Sequence, residues 1–430
     1  MNKNKRALKN IGISMLIKPV AMALSMVYIP IVLGYLGDEK YGFWTVLLSV
    51  ISWINYFDVG IGKGLRNKLT VVYESDENES KKIVSTAYIA SSVISFVFFC
   101  AFLVLCIVLD LPKLLGLELQ TENSLLVILI SVAFICINFV VGLSKEIFYA
   151  VHKTYVVSIQ AVGIQIANVI IVIAFSFLTE ASVLLVAVMY GMTMFIGNFI
   201  LYRLILKKMP YLKPDKRSYD KKIFKSMCSF GLLMFLQNIC SLILNTTDSL
   251  IITKLYGVEA VTPYNIVFSV FNMIMSIMYI IMTPLWSEYT DAYARNDFDW
   301  IKKTIKRVNV IIFVFSVGAI ILTFIFEPLA EIWLGKKLDY PEYLVETMAV
   351  YIILLMISNN YNCVLQGIGK IKEMSILAGI QAILNIPISI FLAENIGMGR
   401  TGILLGSVIM IALSAVVAPL LVYKKIGQKA

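Results

Sequence analysis

Histidine is nearly absent from this sequence: His152 is the only one in 430 residues. That excludes His-rich zinc centres and nucleophilic triads that need an imidazole base. Charge is scarce too. Asp, Glu, Lys and Arg make up 15% of the chain, against about 25% in a soluble domain. The six cysteines, Cys100, Cys106, Cys136, Cys228, Cys240 and Cys363, form no CxxC pair and lie in apolar stretches. They read as small packing residues, neither disulfides nor metal ligands, and no metal site is expected. Also missing are polar segments long enough for a water-soluble catalytic domain. What fills the chain is apolar: 59% of residues are hydrophobic and the mean hydropathy is +0.85. Soluble domains have about 45–50% apolar residues, and disordered chains have fewer. A polytopic membrane protein remains, at about 20 apolar residues per crossing.

Apolar runs of spanning length occur at 11–36, 42–62, 83–109, 124–150, 155–178, 182–206, 229–256, 262–286, 308–334, 343–368, 374–394 and 401–423. They predict an all-α protein with twelve transmembrane helices; the alternating pattern of an outer-membrane barrel is absent. Lys3, Lys5, Arg6 and Lys9 precede the first run, which is too long for a signal-peptide core and ends in no A-x-A-like site. It is expected to be retained. Of the 37 Lys and Arg, only Lys40, Lys113, Lys254, Lys336, Lys337 and Arg400 fall in the odd-to-even loops, and Lys18 lies inside the first run. The positive-inside rule then puts both termini in the cytoplasm. The net charge of +10 is accounted for by orientation, and no nucleic-acid partner is expected. The densest basic stretch, Arg203 to Lys225, suits an anionic lipid or partner and serves equally as a topology determinant. The expected organisation is a six-helix lobe at 1–206, a basic cytoplasmic linker at 207–228 and a second six-helix lobe at 229–430.

The two lobes repeat each other. At an offset of 220, Tyr35-Leu36-Gly37-Asp38-Glu39 overlays Leu255-Tyr256-Gly257-Val258-Glu259. Polar positions recur with it at helical spacing. Span one carries Ser14, Lys18, Ser25 and Tyr28; span seven carries Met234, Asn238, Asn245 and Asp248 in register. Span two carries Thr45, Ser49, Ser52 and Tyr56; span eight carries Asn265, Ser269, Asn272 and Ser276. At an offset of 217, Gly142, Lys145 and Tyr149 meet Asn359, Asn362 and Gln366, and Asn168 meets Asn385. Equivalent spans keep an even separation, so the halves relate by an axis along the membrane normal, a transporter design. Each stripe alone is also common helix–helix glue. Taken together, spans one, two, four, five, seven, eight, ten and eleven predict an inner ring around a central polar cavity. Asn138 on span four belongs to the same polar set. Spans three, six, nine and twelve are expected to be apolar and lipid-facing.

Charges inside spans cost at least about 2.5–3.5 kcal/mol each and are candidate functional groups. Lys18 sits on the span-one stripe, where it faces either the cavity or, by snorkelling, the membrane surface. Asp248 lies midway along span seven. Lys145 and Glu146 close span four, as a local pair or as cavity charges. Asp58 precedes Gly60, Gly62 and Gly64, which alternate with Lys63 and Arg66 nearby. That segment lacks the strand and spacing of a nucleotide loop. It predicts either a helix end whose bare N–H groups and two cations suit a phosphate, or a flexible cap carrying topology charges.

The segment Phe57-Asp58-Val59-Gly60-Ile61-Gly62-Lys63-Gly64-Leu65-Arg66-Asn67 resembles the O-antigen flippases, the polysaccharide-transporter branch of the multidrug, oligosaccharidyl-lipid and polysaccharide exporter superfamily, which has a MATE-like fold. Tyr35 to Trp44 is similar to that family's join between spans one and two, and Asn245-Thr246-Thr247-Asp248 with Leu255-Tyr256-Gly257 to its seventh-span pattern. The resemblance implies a flippase of the bacterial inner membrane that moves undecaprenyl-pyrophosphate-linked oligosaccharide from the inner to the outer leaflet by alternating access. It implies no catalysis and no cofactor. Lys18, Lys63, Arg66 and Lys145 become candidates for the pyrophosphate. Ser25, Tyr28, Ser49, Ser52, Tyr56, Asn138, Asn168, Asn238, Asn245, Asn265, Asn272, Asn359, Asn362 and Asn385 become candidates for sugars. Asp58, Asp248 and Glu146 are candidates for proton or sodium coupling. Membrane lipids surround the chain, and a polysaccharide polymerase and chain-length proteins are the implied partners. The alternatives are a cation-coupled multidrug exporter of the same superfamily, which Asp248 favours and Lys18 opposes, and a membrane polymerase or ligase, which would need a larger external loop than this sequence holds.

Overall fold

In the computed structural model, the described residues are 3–56, 60–109, 122–257, 260–334 and 339–427; for some of these, chiefly in the first helix, only the backbone is described. All regular structure among them is helical: α1 (Lys3–Tyr56), α2 (Ile61–Val72), α3 (Glu77–Leu109), α4 (Ser124–Val141), α5 (Leu143–Ala150), α6 (Thr154–Leu178), α7 (Val183–Lys208), α8 (Lys221–Tyr256), α9 (Val261–Ala294), α10 (Phe298–Leu334), α11 (Leu344–Gly367), α12 (Lys372–Ile390) and α13 (Gly399–Gly427). Ten helices among the described residues are long and apolar enough to cross a membrane, so the chain is a multi-pass membrane protein. The first expected span and most of the second fall within α1. A straight helix of 54 residues would run about 80 Å, far beyond a hydrocarbon core of about 30 Å. Gly37 breaks it, with φ 74 and ψ 171, a conformation open only to glycine. At the repeat-equivalent position Gly257 also has positive φ, 86. The two Tyr/Leu-Gly joins are thus backbone-dictated turns.

Span two was expected to run to residue 62. Instead α1 ends at Tyr56 and a separate amphipathic helix, α2, starts after Gly60. Its Ile61, Leu65 and Leu69 step by four and are fully buried, a one-faced apolar stripe. The alternating glycines thus stand at a helix N-terminus, as one of the two sequence expectations had it, with Gly62 in the wall of a polar cavity. Gly60 is the left-handed N-cap of α2, and its carbonyl already accepts the Gly64 N–H at 2.9 Å. A Cβ on Gly60 would lie 2.2 Å from the Cα of Gly231, and one on Gly64 3.1 Å from Met227. These glycines let α2 press against the first turns of α8.

The chain divides into two compact units, 1–232 and 233–430, with the division inside α8. In the first unit α1 packs on α6, α4 on α7, and α2 on α3 and α5. Two apolar clusters close its ends. One gathers Val32, Trp44, Val127, Val172 and Val183; the other gathers Leu65, Val84, Ile147, Leu201 and Met227. In the second unit α11 packs on α9, α10 and α13, and α12 on α13. Helices α3 and α10 expose rows of large apolar side chains, such as Phe96, Val97, Phe313 and Val314, as a lipid-facing surface requires. Spans six and twelve fit that expectation on one side only: they expose Ile196, Ile200, Val416 and Leu420, and on the other side contribute the buried Thr193, Asn198, Ser407 and Ser414.

A carboxylate fixes one end of the first unit. Glu122 accepts the N–H groups of Val183 and Leu184, each at 2.9 Å, and the Ser182 hydroxyl at 3.0 Å, with Lys40 at 3.4 Å. It thereby caps the N-terminus of α7. Partial burial pushes its pKa up, but these hydrogen bonds outweigh that and hold it below 4.5. A carboxyl lowered in the folded state adds stability above its unfolded pKa, and that stability disappears as pH falls through the folded value. The midpoint of thermal unfolding should fall between pH 6 and pH 3.5 in the wild type. In Glu122→Gln it should start lower and change less over that interval.

Candidate functional site

Along α4 and α5 the side chains change character in order. Val127 and Ile128 belong to one apolar cluster, Ser131 to Gly142 line open space, and Leu143 to Ala150 join the other cluster. The open space is a cavity of about 220 Å³ between α4, α5 and α7, with Trp44 of α1 and Gly62 of α2 in its wall. Its wall includes Asn138, Tyr190 and Asn198 and is closed at one end by Lys145 and Glu146. An amide chain fixes the polar wall. Gln160 donates to Asn198 at 2.8 Å, and Asn198 donates to Asn138 at 2.9 Å. Asn138 in turn donates to the Gly191 carbonyl at 3.1 Å.

The closed end holds three cations and one carboxylate. Lys63, from α2, donates to Oε1 of Glu146 at 2.7 Å. Arg66, one turn on and 2% exposed, stacks over the Tyr149 ring at 4.8 Å. Arg66 and Lys145 both lie close enough to act on the Glu146 charge. Lys145 forms no direct ion pair among the described residues and lines the cavity. Glu146 Oε2 is buried and accepts no hydrogen bond among them. Three cations thus stand around one carboxylate in a setting where charge is expensive. Such a site attracts a dianion, and Lys145 is the cation that presents itself to one.

The second unit has its own cavity, of about 380 Å³, lined by Gln237, Asn272, Tyr279, Asn359, Asn362 and Gln381 among others. It contains amides where the first unit has charge: Asn362 and Asn359 are the repeat equivalents of Lys145 and Gly142. Gln237 donates to Asn362 at 3.3 Å and Asn359 to the Tyr279 hydroxyl at 3.4 Å. Asp248 lies apart from this cavity, 2% exposed. The Ser407 hydroxyl donates to it at 2.8 Å and the Tyr264 hydroxyl at 3.0 Å. Asn385 donates to Ser407 at 2.8 Å and accepts from Thr247 at 3.0 Å. No cation pairs with Asp248 among the described residues. Asp248→Asn replaces an acceptor by a donor opposite two hydroxyls. It should lower stability by about 1–3 kcal/mol, measured as a fall in the thermal unfolding midpoint.

Of the expected site residues, the structure brings together Lys63, Arg66, Lys145 and Glu146, and places Asn138 in the first cavity and Asn272, Asn359 and Asn362 in the second. Asn168 and Asn385 are placed otherwise. They are 1% and 0% exposed and bond across to the next helix, Thr193 donating to Asn168 at 2.6 Å and Asn385 donating to Ser407. They are repeat-matched interhelical glue. Asn265 is exposed and accepts from Ser249 at 3.3 Å, and Asn238 is half-buried outside the cavity wall. Tyr28 is half-buried with its hydroxyl unpartnered among the described residues. Lys18, Ser25, Ser49, Ser52, Tyr56, Asp58 and Asn245 lie outside the residues whose side chains are described. Asn198, Gln160, Tyr190, Gln237 and Gln381 had no place in the sequence expectation. Thr193 and Asn198, isolated in an apolar run, were the available signal for the first unit.

The model of the polysaccharide biosynthesis protein family matches residues 7–290, and that of the MatE family matches residues 234–391. A protein of Yersinia pseudotuberculosis named for O-antigen export is 24% identical over 394 residues, covering 90% of this chain and 89% of that protein. One of Salmonella typhimurium named for O-antigen transport is 22% identical over 409 residues, covering 94% and 93%. A MATE structure in a bent conformation superposes with a TM-score of 0.84 at 15% identity, covering 100% of this chain and 96% of that one. The chain therefore belongs to the polysaccharide biosynthesis protein family, as a multi-pass membrane protein with the fold of the MATE transporters.

Proposed function

We propose that this protein is a flippase of the bacterial inner membrane that carries a polyprenyl-pyrophosphate-linked oligosaccharide, the repeat unit of a surface polysaccharide, from the inner to the outer leaflet by alternating access. The observation that carries the proposal is the partly buried group of Lys63, Arg66, Lys145 and Glu146 at the end of a polar cavity, three cations around one carboxylate, which suits a pyrophosphate diester. Both termini lie in the cytoplasm and the spans number twelve. Lys145 takes the pyrophosphate, Lys63 and Arg66 set the local potential, and the polar wall at Asn138 and Tyr190 serves sugar hydroxyls. The relatives named for O-antigen export and transport support this substrate class. The protein acts as a transporter without a catalytic step.

Two negative charges moving outward down an inside-negative potential gain about 4.6 kcal/mol per 100 mV, at about 2.3 per charge. The potential alone can therefore bias the direction. Glu146 Oε2, buried and without a hydrogen bond among the described residues, is placed to take up a proton when the pyrophosphate neutralises the neighbouring cations. The test is translocation of a labelled polyprenyl-pyrophosphate saccharide in proteoliposomes with and without an imposed potential. Flipping that accelerates when the potential favours anion exit supports the proposal. Absence of flipping together with proton- or sodium-driven efflux of organic cations would overturn it.

A further inference from the structure

A second opening in the first unit belongs to none of this chemistry. It is a groove of about 800 Å³ on the outer side of α3, α4 and α7, closed at one end by the segment 214–219. Its walls are apolar and aromatic: Tyr88 packs on Tyr202 with ring centroids 5.7 Å apart, and Phe199 bridges Phe195 and Tyr202 at 5.8 and 6.3 Å. It runs from the polar end of these helices inward. Tyr88 follows the start of α3 by eleven residues and Phe195 precedes the end of α7 by thirteen, a depth of roughly 15–20 Å and about half the hydrocarbon thickness.

Its mouth is basic. Lys216 lines it, and the exposed Arg203, Lys213 and Arg217 lie on the same stretch. Asp215, also at the mouth, is engaged by Lys81 at 3.4 Å and by the Arg217 N–H at 3.0 Å, which leaves the local balance positive. An apolar slot half a bilayer deep with a cationic rim at its polar end has the chemistry of one lipid leaflet.

We infer that this groove binds an anionic phospholipid of the surrounding bilayer. Its acyl chains lie along Val93, Val140 and Phe199, and its phosphate meets Lys216 and Arg203. The site is independent of the translocated substrate, since none of its residues lines the cavity assigned to the pyrophosphate. The full-length protein would be reconstituted in nanodiscs of equal phosphatidylglycerol and phosphatidylcholine, extracted, and its retained lipid read by native mass spectrometry. Each interfacial cation contributes about a fivefold preference for anionic lipid, the equivalent of about 1 kcal/mol. The wild type should therefore retain phosphatidylglycerol over phosphatidylcholine by more than tenfold. Val93→Trp, at a site 57% exposed to lipid, fills the slot and should lower retention at least tenfold at an unchanged unfolding midpoint. Arg203→Gln with Lys216→Gln leaves the slot open and should bring the preference close to one, which decides the matter even if the tryptophan variant misfolds. Equal retention of the two lipids by the wild type would overturn the inference. So would displacement of phosphatidylglycerol by an equimolar polyprenyl phosphate, which would make the groove a seat for the substrate's tail.

Discussion

Replacing Lys145 by alanine is expected to lower the initial rate of lipid-linked saccharide translocation about tenfold to a hundredfold. Hydrogen bonds to a charged partner contribute about 1.5–3 kcal/mol each, and Lys145 is the cation of its group that lines the cavity without a direct ion pair among the described residues. Stability should move the other way. Lys145 is a charge held inside a low-dielectric span, so removing it relieves the cost of its desolvation instead of breaking a bond. The thermal unfolding midpoint of Lys145→Ala should be equal to or above that of the wild type. A structural lysine would show a lower midpoint with unchanged transport per folded molecule. Lys145→Arg keeps the charge and should retain most of the rate. Lys63→Ala makes a useful contrast. It strips the 2.7 Å partner from Glu146, leaving a buried carboxylate beside Arg66 and Lys145, and should lose stability as well as rate. Measuring both quantities on both variants separates the group that meets the substrate from the group that holds the site together.

Periodicity and charge made most of this architecture legible from the residues. Long apolar runs are set by bilayer thickness, so their centres survive folding, and the repeat offset led to paired positive-φ glycines at 37 and 257. What could not be read was which neighbour covers each polar stripe. Asn168 and Lys145 carry the same kind of sequence signal, a polar residue at helical phase in an apolar run. One ends bonded to Thr193 inside the packing and the other beside open space, because that outcome depends on the approach of α7. Helix α2 was hidden for a different reason. Its apolar stripe of Ile61, Leu65 and Leu69 is only three residues long and interrupted by glycines that favour turns in isolation. Their need for close packing shows only once Gly231 is opposite. Glu146 was visible as a costly charge and Lys63 and Arg66 as cations beyond the end of span two, and their convergence on one point was not, since it joins helices about eighty residues apart in sequence.

That packing gives the second large effect. Gly60→Ala should destabilise the protein by about 2–5 kcal/mol. The left-handed backbone at φ 67 costs an L-residue about 1–2 kcal/mol. The added Cβ would sit 2.2 Å from the Cα and 2.6 Å from the carbonyl oxygen of Gly231, so helices must separate, at about 1–3 kcal/mol more. No rotamer relieves either contribution, because both are backbone contacts. Gly163 is the matched control: it lies within α6 with no atom within 4 Å of its would-be Cβ. There alanine should be neutral or stabilising by up to about 1 kcal/mol. Unfolding midpoints of the two variants in one detergent test the pair. The functional consequence follows from position. Gly60 caps the helix that presents Lys63 and Arg66 to Glu146, so a displaced α2 opens the ion pair even in molecules that remain folded. Gly60→Ala should therefore lose translocation at temperatures well below its own unfolding midpoint, whereas Lys145→Ala loses it with the fold intact. If Gly60→Ala instead kept full transport up to its lowered midpoint, the Lys63–Glu146 contact would have no part in the path of the pyrophosphate.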